Sequence, residues 1–434
     1  MKPLFIVAGF CLLVLNAVSF RSAAKDKPNI ILILADDLGY ETLGCNGNDD
    51  HLTPNLDKLA ATGMRFDNCS ATPLCTPSRV QLMTGKYNNR NYIGFGLLKP
   101  GQKTFGHYLQ EQGYKTCIAG KWQLYGNDFQ ISLAGGLKGS LPQDCGFDNF
   151  CLWQVDKLGS RYKDPTVYTD DRKSVTLTGK FGDDVFESYI ESFLEKNRNK
   201  PFFVYYPMCL THDPFVPTPF SADYANPAGG KKVDDPKYFK DMLRYMDYLT
   251  GRLFKKVEQL GLSKNTVILF MGDNGTSTRV TSRFRGGLRQ GNKGYTNDRG
   301  THVPMIVNWP GVIKPGSVNT SLVDFTDFLP TLLDIAGAKN NKIAPGDGLS
   351  IYNQLKGDNS NKRDWVFCYY NPKWGNFKPH TFVYNKEWKL YSTGEIYNLK
   401  NDPDELKPLT KSQLPADGLK TIAQFEQVIH DKLN

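Results

Sequence analysis

The stretch Asn29–Ala35 carries an unbroken apolar run, Ile30-Ile31-Leu32-Ile33-Leu34, and ends abruptly at Asp36-Asp37. Such a run reads as a strand buried on both faces, as in a parallel sheet covered by helices. Three later runs share its character: Tyr114 to Ala119, Phe202 to Tyr206 and Val267 to Met271. Each delivers polar residues at or just beyond its end: Asp36 and Asp37, then Lys121, then His212, then Asp273 and Asn274. Ligand sites of open α/β sheets lie along the edge formed by the carboxyl ends of the strands. The pattern therefore predicts that these side chains converge, although 237 residues separate Asp36 from Asp273.

Helical spacing fills the gaps between these runs. Thr53-Pro54 reads as an N-cap followed by proline at the first helical position, with Gly63 as the stop. Val185, Tyr189, Phe193 and Leu194 give helical spacing between Asp184 and Lys196. Asp235-Pro236 opens a long amphipathic segment through Phe239, Met242, Met246, Leu249, Leu253 and Val257, stopped by Gly261. Residues 124–175 show turn signals and aromatics without a clear period, which predicts a loop region shaping a pocket. After residue 345 short runs alternate with turns: Trp365 to Tyr370, Thr381 to Tyr384, Trp388 to Tyr391 and Ile396 to Leu399. They predict a small antiparallel sheet, and Leu419, Ile422, Phe425 and Val428 mark a final helix. The fold class is α/β: a large, mixed, mostly parallel sheet flanked by helices, with a C-terminal α+β subdomain carrying an antiparallel sheet. The boundaries are 25–345 for the large unit and 346–434 for the small one.

Residues 1–24 differ from the rest. Lys2 precedes an apolar run from Leu4 to Phe20, and Ser22-Ala23-Ala24 offers small residues for cleavage, the pattern of a secretory signal peptide. An uncleaved anchor is the alternative, since the run is near the lower length for spanning. A secreted or periplasmic protein without stable membrane association is expected. Loss of Lys2 and Arg21, with no acid, would take the formal charge from +9 to +7. A basic exported protein suits an acidic partner. No nucleic-acid recognition motif accompanies the charge. Nine cysteines are present. Cys145 and Cys151 are close enough in sequence to pair within a loop.

The candidate nucleophile lies in Cys75-Thr76-Pro77-Ser78-Arg79, followed by Thr84-Gly85. Pro77 suits the first turn of a helix, which places Cys75 at a helix N-terminus, where N–H groups favour anions. Arg79 lies one turn along on the same face. Asp36, Asp37, Asp273 and Asn274 supply only oxygen ligands, which suits calcium or magnesium rather than zinc.

Cys-x-Pro-Ser-Arg followed by Thr-Gly resembles the signature of the type I, formylglycine-dependent sulfatases of the alkaline-phosphatase-like superfamily. Asp36-Asp37, Thr53-Pro54-Asn55-Leu56-Asp57, Gly120-Lys121-Trp122, Asp273-Asn274-Gly275 and Gly291 to Gly300 look like further blocks of that family in the expected order. The resemblance implies that Cys75 is oxidised to formylglycine by a formylglycine-generating enzyme, and that its hydrated aldehyde is the nucleophile. It implies one calcium ion held by Asp36, Asp37, Asp273, Asn274 and residue 75. It assigns Arg79 to orienting the diol, Lys121 and Lys293 to the sulfate oxygens, Asp273 to the diol proton and His212 to the leaving oxygen. One position departs from the pattern: the family block runs Gly-Lys-Trp-His, and here Gln123 stands in place of the histidine. Glutamine hydrogen-bonds but carries no proton at neutral pH. The expected substrate is a sulfated polysaccharide or oligosaccharide such as an algal galactan. Gln123 and the basic cluster of Arg279, Arg283, Arg285 and Arg289 are candidates for binding it. The alternatives are a phosphatase or phosphonate hydrolase of the same superfamily, or a glycan-binding pseudo-sulfatase that lost turnover with the histidine.

Overall fold

A computed structural model describes residues 27–225, 233–338 and 346–434. The segment 1–24 read as a signal peptide lies outside these residues. Among the described residues no helix is long and apolar enough to cross a membrane.

The large sheet contains ten strands. In chain order they are β1 (Asn29–Ala35), β2 (Met64–Ser70), β3 (Lys115–Lys121), β4 (Asn149–Trp153), β5 (Thr166–Thr169), β6 (Ser174–Thr176), β7 (Phe202–Pro207), β8 (Thr266–Gly272), β9 (His302–Asn308) and β10 (Ser317–Asp324). Their spatial order is β10-β2-β9-β8-β1-β7-β3-β4-β5-β6. The central run β8-β1-β7-β3-β4 is parallel throughout. β9 runs antiparallel to both of its neighbours, and β5 and β6 extend the far edge as antiparallel strands.

Why β1 is apolar without alternation is now plain. Ile30, Leu32 and Leu34 join one core, with Phe66, Val80, Phe105 and Leu329. Ile31, Ile33 and Ala35 join the other, with Leu56, Phe186, Met242 and Leu249. Successive side chains point to opposite faces, and both faces are covered. One layer holds the helices Cys75–Thr84, Phe105–Glu111 and Phe328–Ile335; the other holds Pro54–Thr62, Gly182–Asn197 and Phe239–Gln259.

Several expectations need revision. Thr53 does not cap its helix through its side chain. Its Oγ1 accepts from Gly44 N at 2.9 Å and donates to Asp57 Oδ1 at 3.2 Å. The open N–H groups of Asn55 and Leu56 instead reach Asp247 on the long helix, at 3.1 and 2.9 Å. A carboxylate from a neighbouring helix thus takes the capping role. The stretch 124–175 is not all loop; it contains β4, β5, the start of β6 and the helix Asp128–Leu133. Cys145 and Cys151 do not pair, and the eight cysteines among the described residues are all free. The two belong to cores on opposite faces of the sheet.

Beyond the large sheet, strands Val366–Tyr370, His380–Tyr384, Trp388–Tyr391 and Ile396–Asn398 form a four-stranded antiparallel sheet. The helix Ala416–Leu433 packs on it through Ile422, Phe425 and Val428.

Candidate active site

The parallel strands place their ends as the pattern required. Asp36 and Asp37 follow β1, Asp273 and Asn274 follow β8, and Lys121 is the last residue of β3. Gly120 is needed just before it: at φ +127°, a Cβ there would lie 1.9 Å from the carbonyl oxygen of Pro207 on β7. Only glycine adopts that backbone at such close approach.

Asp36, Asp37 and Asp273 are all buried, and one oxygen from each lies within 4.8 Å of the others. Three cationic side chains face them. Lys121 Nζ donates to both oxygens of Asp36 at 2.8 and 3.0 Å. Arg79 Nε donates to Asp273 Oδ2 at 2.9 Å, and its Nη2 lies 3.3 Å from Asp36 Oδ1. Lys293 Nζ donates to Asp37 Oδ2 at 2.6 Å. Asp37 Oδ1 also accepts from Asn274 Nδ2 at 2.9 Å.

Burial and charge pull these groups in different directions. Burial raises the Asp36 pKa, but Lys121, His212, Arg79 and Lys293 together hold it well below the usual carboxylate range. Asp273 goes the other way. Its burial outweighs Arg79 and, with the Asp36 charge beside it, pushes the carboxyl up to about 7. Burial disfavours charge on Arg79 and Lys293, yet Asp273 holds the first, and Asp37 the second, above its ordinary value.

Cys75 opens the helix Cys75–Thr84 and is fully buried. Burial raises its thiol pKa, opposed chiefly by Lys121. Ser78 fixes the turn before it: Oγ accepts from Thr72 N at 3.0 Å and donates to Thr72 O at 3.0 Å. Gln123 Oε1 lies 3.9 Å from Cys75 Sγ. The departing residue therefore faces the candidate nucleophile directly. From the C-terminal sheet, Cys368 and Tyr370 share an apolar cluster with Cys75, and the Tyr370 hydroxyl donates to Gly294 O at 2.9 Å, next to Lys293.

His212 joins from the loop after β7. Its Nε2 lies 2.9 Å from Lys293 Nζ, and its Nδ1 lies 2.7 Å from Asp213 O. An ammonium can only donate, so Nε2 accepts and the ring proton sits on Nδ1; these partners assign the tautomer. Arg283 and Arg285 stand apart. They lie on the exposed hairpin Thr281–Phe284/Gly287–Gln290, where Arg283 approaches Asp50 at 3.8 Å and Arg285 donates to Asn46 O at 3.2 Å. Neither shares a described contact with the acid cluster.

Two supporting groups carry no signal in the sequence pattern. Buried Glu41 accepts from Thr276 Oγ1 at 2.6 Å, and Thr276 Oγ1 accepts from Gly39 N at 3.0 Å, tying the loop after β1 to the loop after β8. Asp183 accepts from Cys209 N at 3.1 Å behind the His212 loop. Burial pushes the Asp183 carboxyl up to about 7, against backbone hydrogen bonds that lower it. The folded state then holds this proton more tightly than the unfolded chain, whose aspartate titrates near 3.9. Between those values stability falls as pH rises. Asp183→Asn is expected to flatten that slope, so that its melting temperature at pH 8 exceeds the wild-type value by about 2 °C or more. Parallel melting curves at pH 5 and pH 8 for both proteins would disprove this assignment.

The donor set suits a hard cation. Asn274 Oδ1 is buried and accepts no hydrogen bond among the described residues, which is costly unless something positive meets it. With the three carboxylates it makes an all-oxygen set.

A sequence model of the sulfatase family matches residues 28–338, well over half of the chain. The chain belongs to the sulfatase family. It is a sulfuric ester hydrolase, built on the large sheet and the small C-terminal sheet described above. A second model, for the C-terminal part of N-sulphoglucosamine sulphohydrolase, matches residues 289–430. This sulfatase is 31% identical to human arylsulfatase A over 85% of its own chain and 78% of that protein. It is 29% identical to mouse N-acetylgalactosamine-6-sulfatase, covering 88% and 78%. Among solved structures it resembles Ps i-CgsB in complex with k-i-k-neocarrahexaose, with TM-score 0.72, 25% identity and coverage of 92% and 93%.

Proposed function

We propose that this sulfatase removes sulfate from a sulfated oligosaccharide or polysaccharide, with a galactan as first choice, using a formylglycine made from Cys75 and one calcium ion. One observation carries the reading: Cys75 opens its helix in the same buried centre as three clustered carboxylates and the unpartnered Asn274 Oδ1. The expected charge of +7 and the sugar sulfates named for its relatives favour an anionic glycan. The pattern of residues 1–24 supports export, and the unit 346–434 would close the site over residue 75. A formylglycine-generating enzyme would convert Cys75 during maturation.

Asp36, Asp37, Asp273 and Asn274 would hold the cation, which offsets sulfate charge and lowers the pKa of a hydroxyl on residue 75. As a hydrated aldehyde, residue 75 would supply two hydroxyls, one as a nucleophile toward sulfur and a second that would let the product be released. Arg79, fixed by Asp273 and Asp36, orients them from one turn along the helix. Lys121 and Lys293 hold sulfate oxygens and offset charge as it develops. Asp273 accepts the proton of the attacking hydroxyl. The sugar oxygen departs with a proton delivered at His212 Nε2, which takes it from the Lys293 ammonium.

His212→Asn is therefore expected to lower kcat by about 10²-fold or more on sugar sulfates. The loss should be much smaller on 4-nitrophenyl sulfate, whose leaving group needs no proton. Equal losses on both substrates would remove His212 from leaving-group protonation. Gln123→His places a titrating group beside residue 75 and is expected to change the pH–rate profile; an unchanged profile removes position 123 from proton traffic.

The test of the function is sulfate release across defined sulfated oligosaccharides, with phosphate and phosphonate esters alongside. Sulfate release from a glycan is the expected result. Preferential release of phosphate would replace this reading with a phosphohydrolase. Tight glycan binding without release would favour a pseudo-sulfatase in which Gln123 ended turnover.

A further inference from the structure

Beside the active centre lies a cavity of about 660 Å³ that the mechanism does not use. Its walls are largely apolar and include Trp153, Pro214, Val216 and Tyr224, and Arg161 opens onto it. Arg161 sits in the loop between β4 and β5. Its guanidinium carbon lies 4.0 Å over the Trp153 ring. No N–H of this guanidinium has a hydrogen-bond or ion-pair partner among the described residues, and its Nη1 is fully buried. The residue as a whole is half-buried, but a fully buried N–H group without a partner is uncommon, because a desolvated donor loses water and gains nothing in return.

The surroundings hold this side chain in place rather than leaving it to chance. Trp153 is the register partner of Lys121 in β3, so Arg161 stands one strand away from a sulfate-binding lysine, at the same sheet edge. Trp153 Nε1 donates to Gly159 O at 2.8 Å. Gly182 N donates to Tyr162 O at 2.8 Å, and a Cβ at Gly182 would strike the Arg161 carbonyl at 1.9 Å. The Tyr162 hydroxyl reaches the carbonyls of Cys209 and His212. The loop carrying Arg161 is thus pinned to the backbone of the residue assigned to the leaving oxygen. The nearby carboxylates already have partners: Asp36 takes Lys121 and Arg79, and Asp213 takes His212.

We propose that Arg161 and this cavity bind a second anionic group on the substrate, a carboxylate or another sulfate, on the sugar next to the scissile ester. The planar fork of arginine matches either anion through two parallel hydrogen bonds. Trp153 supports the guanidinium from below by a cation–π contact. The apolar walls accept the faces of a sugar ring, and the path from His212 through Asp213 to Pro214 joins this space to the leaving-group side. The sulfatase would then prefer a substrate that carries two acidic groups over one with a single sulfate. This inference deepens the glycan reading and rests on it.

The experiment uses three matched disaccharides: one with a single sulfate ester, one with that ester and a uronate, and one with that ester and a second sulfate. Hydrolysis is followed for the wild type, Arg161→Gln and Arg161→Lys. Arg161→Gln is expected to lower kcat/KM for at least one acidic disaccharide about 10-fold more than for the singly sulfated one. The disaccharide that loses most tells carboxylate from sulfate. Arg161→Lys keeps the charge without the fork and should recover only part of the preference, and it carries the test if Arg161→Gln does not fold. Equal changes on all three disaccharides, or no change, overturn the proposal. If the wild type hydrolyses none of them, the glycan reading fails by itself. Calorimetric titration of the same unreacted disaccharides then decides on Arg161, and equal affinities for wild type and variants reject it.

Discussion

Cys75→Ala is expected to lower sulfate-ester hydrolysis by about 10⁴-fold or more while leaving a folded protein. The residue is fully buried at the head of its helix, beside Gln123 and in one cluster with Cys368 and Tyr370. Alanine keeps the backbone and removes only the sulfur, a small loss of packing. What disappears is the group from which the proposed nucleophile would be made. Cys75→Ser separates two accounts of the loss. If serine remains a plain hydroxyl, it can attack sulfur once and has no second hydroxyl to release the product. The expected result is at most one sulfate transferred per chain, with the enzyme heavier by that group. Sustained turnover by Cys75→Ala would place the nucleophile elsewhere, and continuous turnover by an unmodified Cys75→Ser would remove the need for a diol.

The second large effect concerns the cation. Chelation by EGTA is expected to abolish hydrolysis, and added calcium to restore it. Stability should move with it, because a ligand that binds only the folded state at about 1,000 times its Kd adds about 4 kcal/mol. The melting temperature should therefore drop by several degrees on chelation. The physical reason is the donor set: Asp36, Asp37 and Asp273 crowd their oxygens together, and Asn274 Oδ1 is buried without a partner. Lys121, Arg79 and Lys293 meet the carboxylates from the sides, which leaves the amide oxygen unmet. Asp37→Asn removes one of the negative ligands and should raise the calcium concentration needed for half-maximal activity. Full activity in EGTA with an unchanged melting temperature would contradict a structural or catalytic cation here.

How much of this was legible beforehand depended on whether burial wrote itself into the sequence. β1, β3, β7 and β8 are covered on both faces, so their apolar runs named them, and the acids and the lysine at their ends followed. The Cys75 helix announced itself through Pro77 and the following Thr84-Gly85 rather than through periodicity, since all of its residues are buried. β5 and β6 lie at the sheet edge and carry short, mixed sequences; they exist because β4 offers them a partner. β9 and β10 carry a weaker signal: Pro304 interrupts the first, and Asn319, Thr320 and Ser321 break up the second. Asp247 as a remote cap, Glu41 as a tie between loops and Arg161 beside its cavity are tertiary facts. Each depends on a neighbour distant in the chain, and no local spacing encodes them. Arg283 and Arg285 are near Lys293 in sequence, but the hairpin sets them beside Asp50 and Asn46, a placement that local spacing does not encode.

In the working enzyme, residue 75 is proposed to be formylglycine rather than cysteine. Mass spectrometry of the tryptic peptide containing it, from a host that makes formylglycine, tests this most directly. The expected peptide is about 18 Da lighter than the cysteine form, since a carbonyl oxygen replaces the thiol sulfur with loss of two hydrogens. An unmodified thiol at residue 75, in enzyme that turns over sulfate esters, would contradict it.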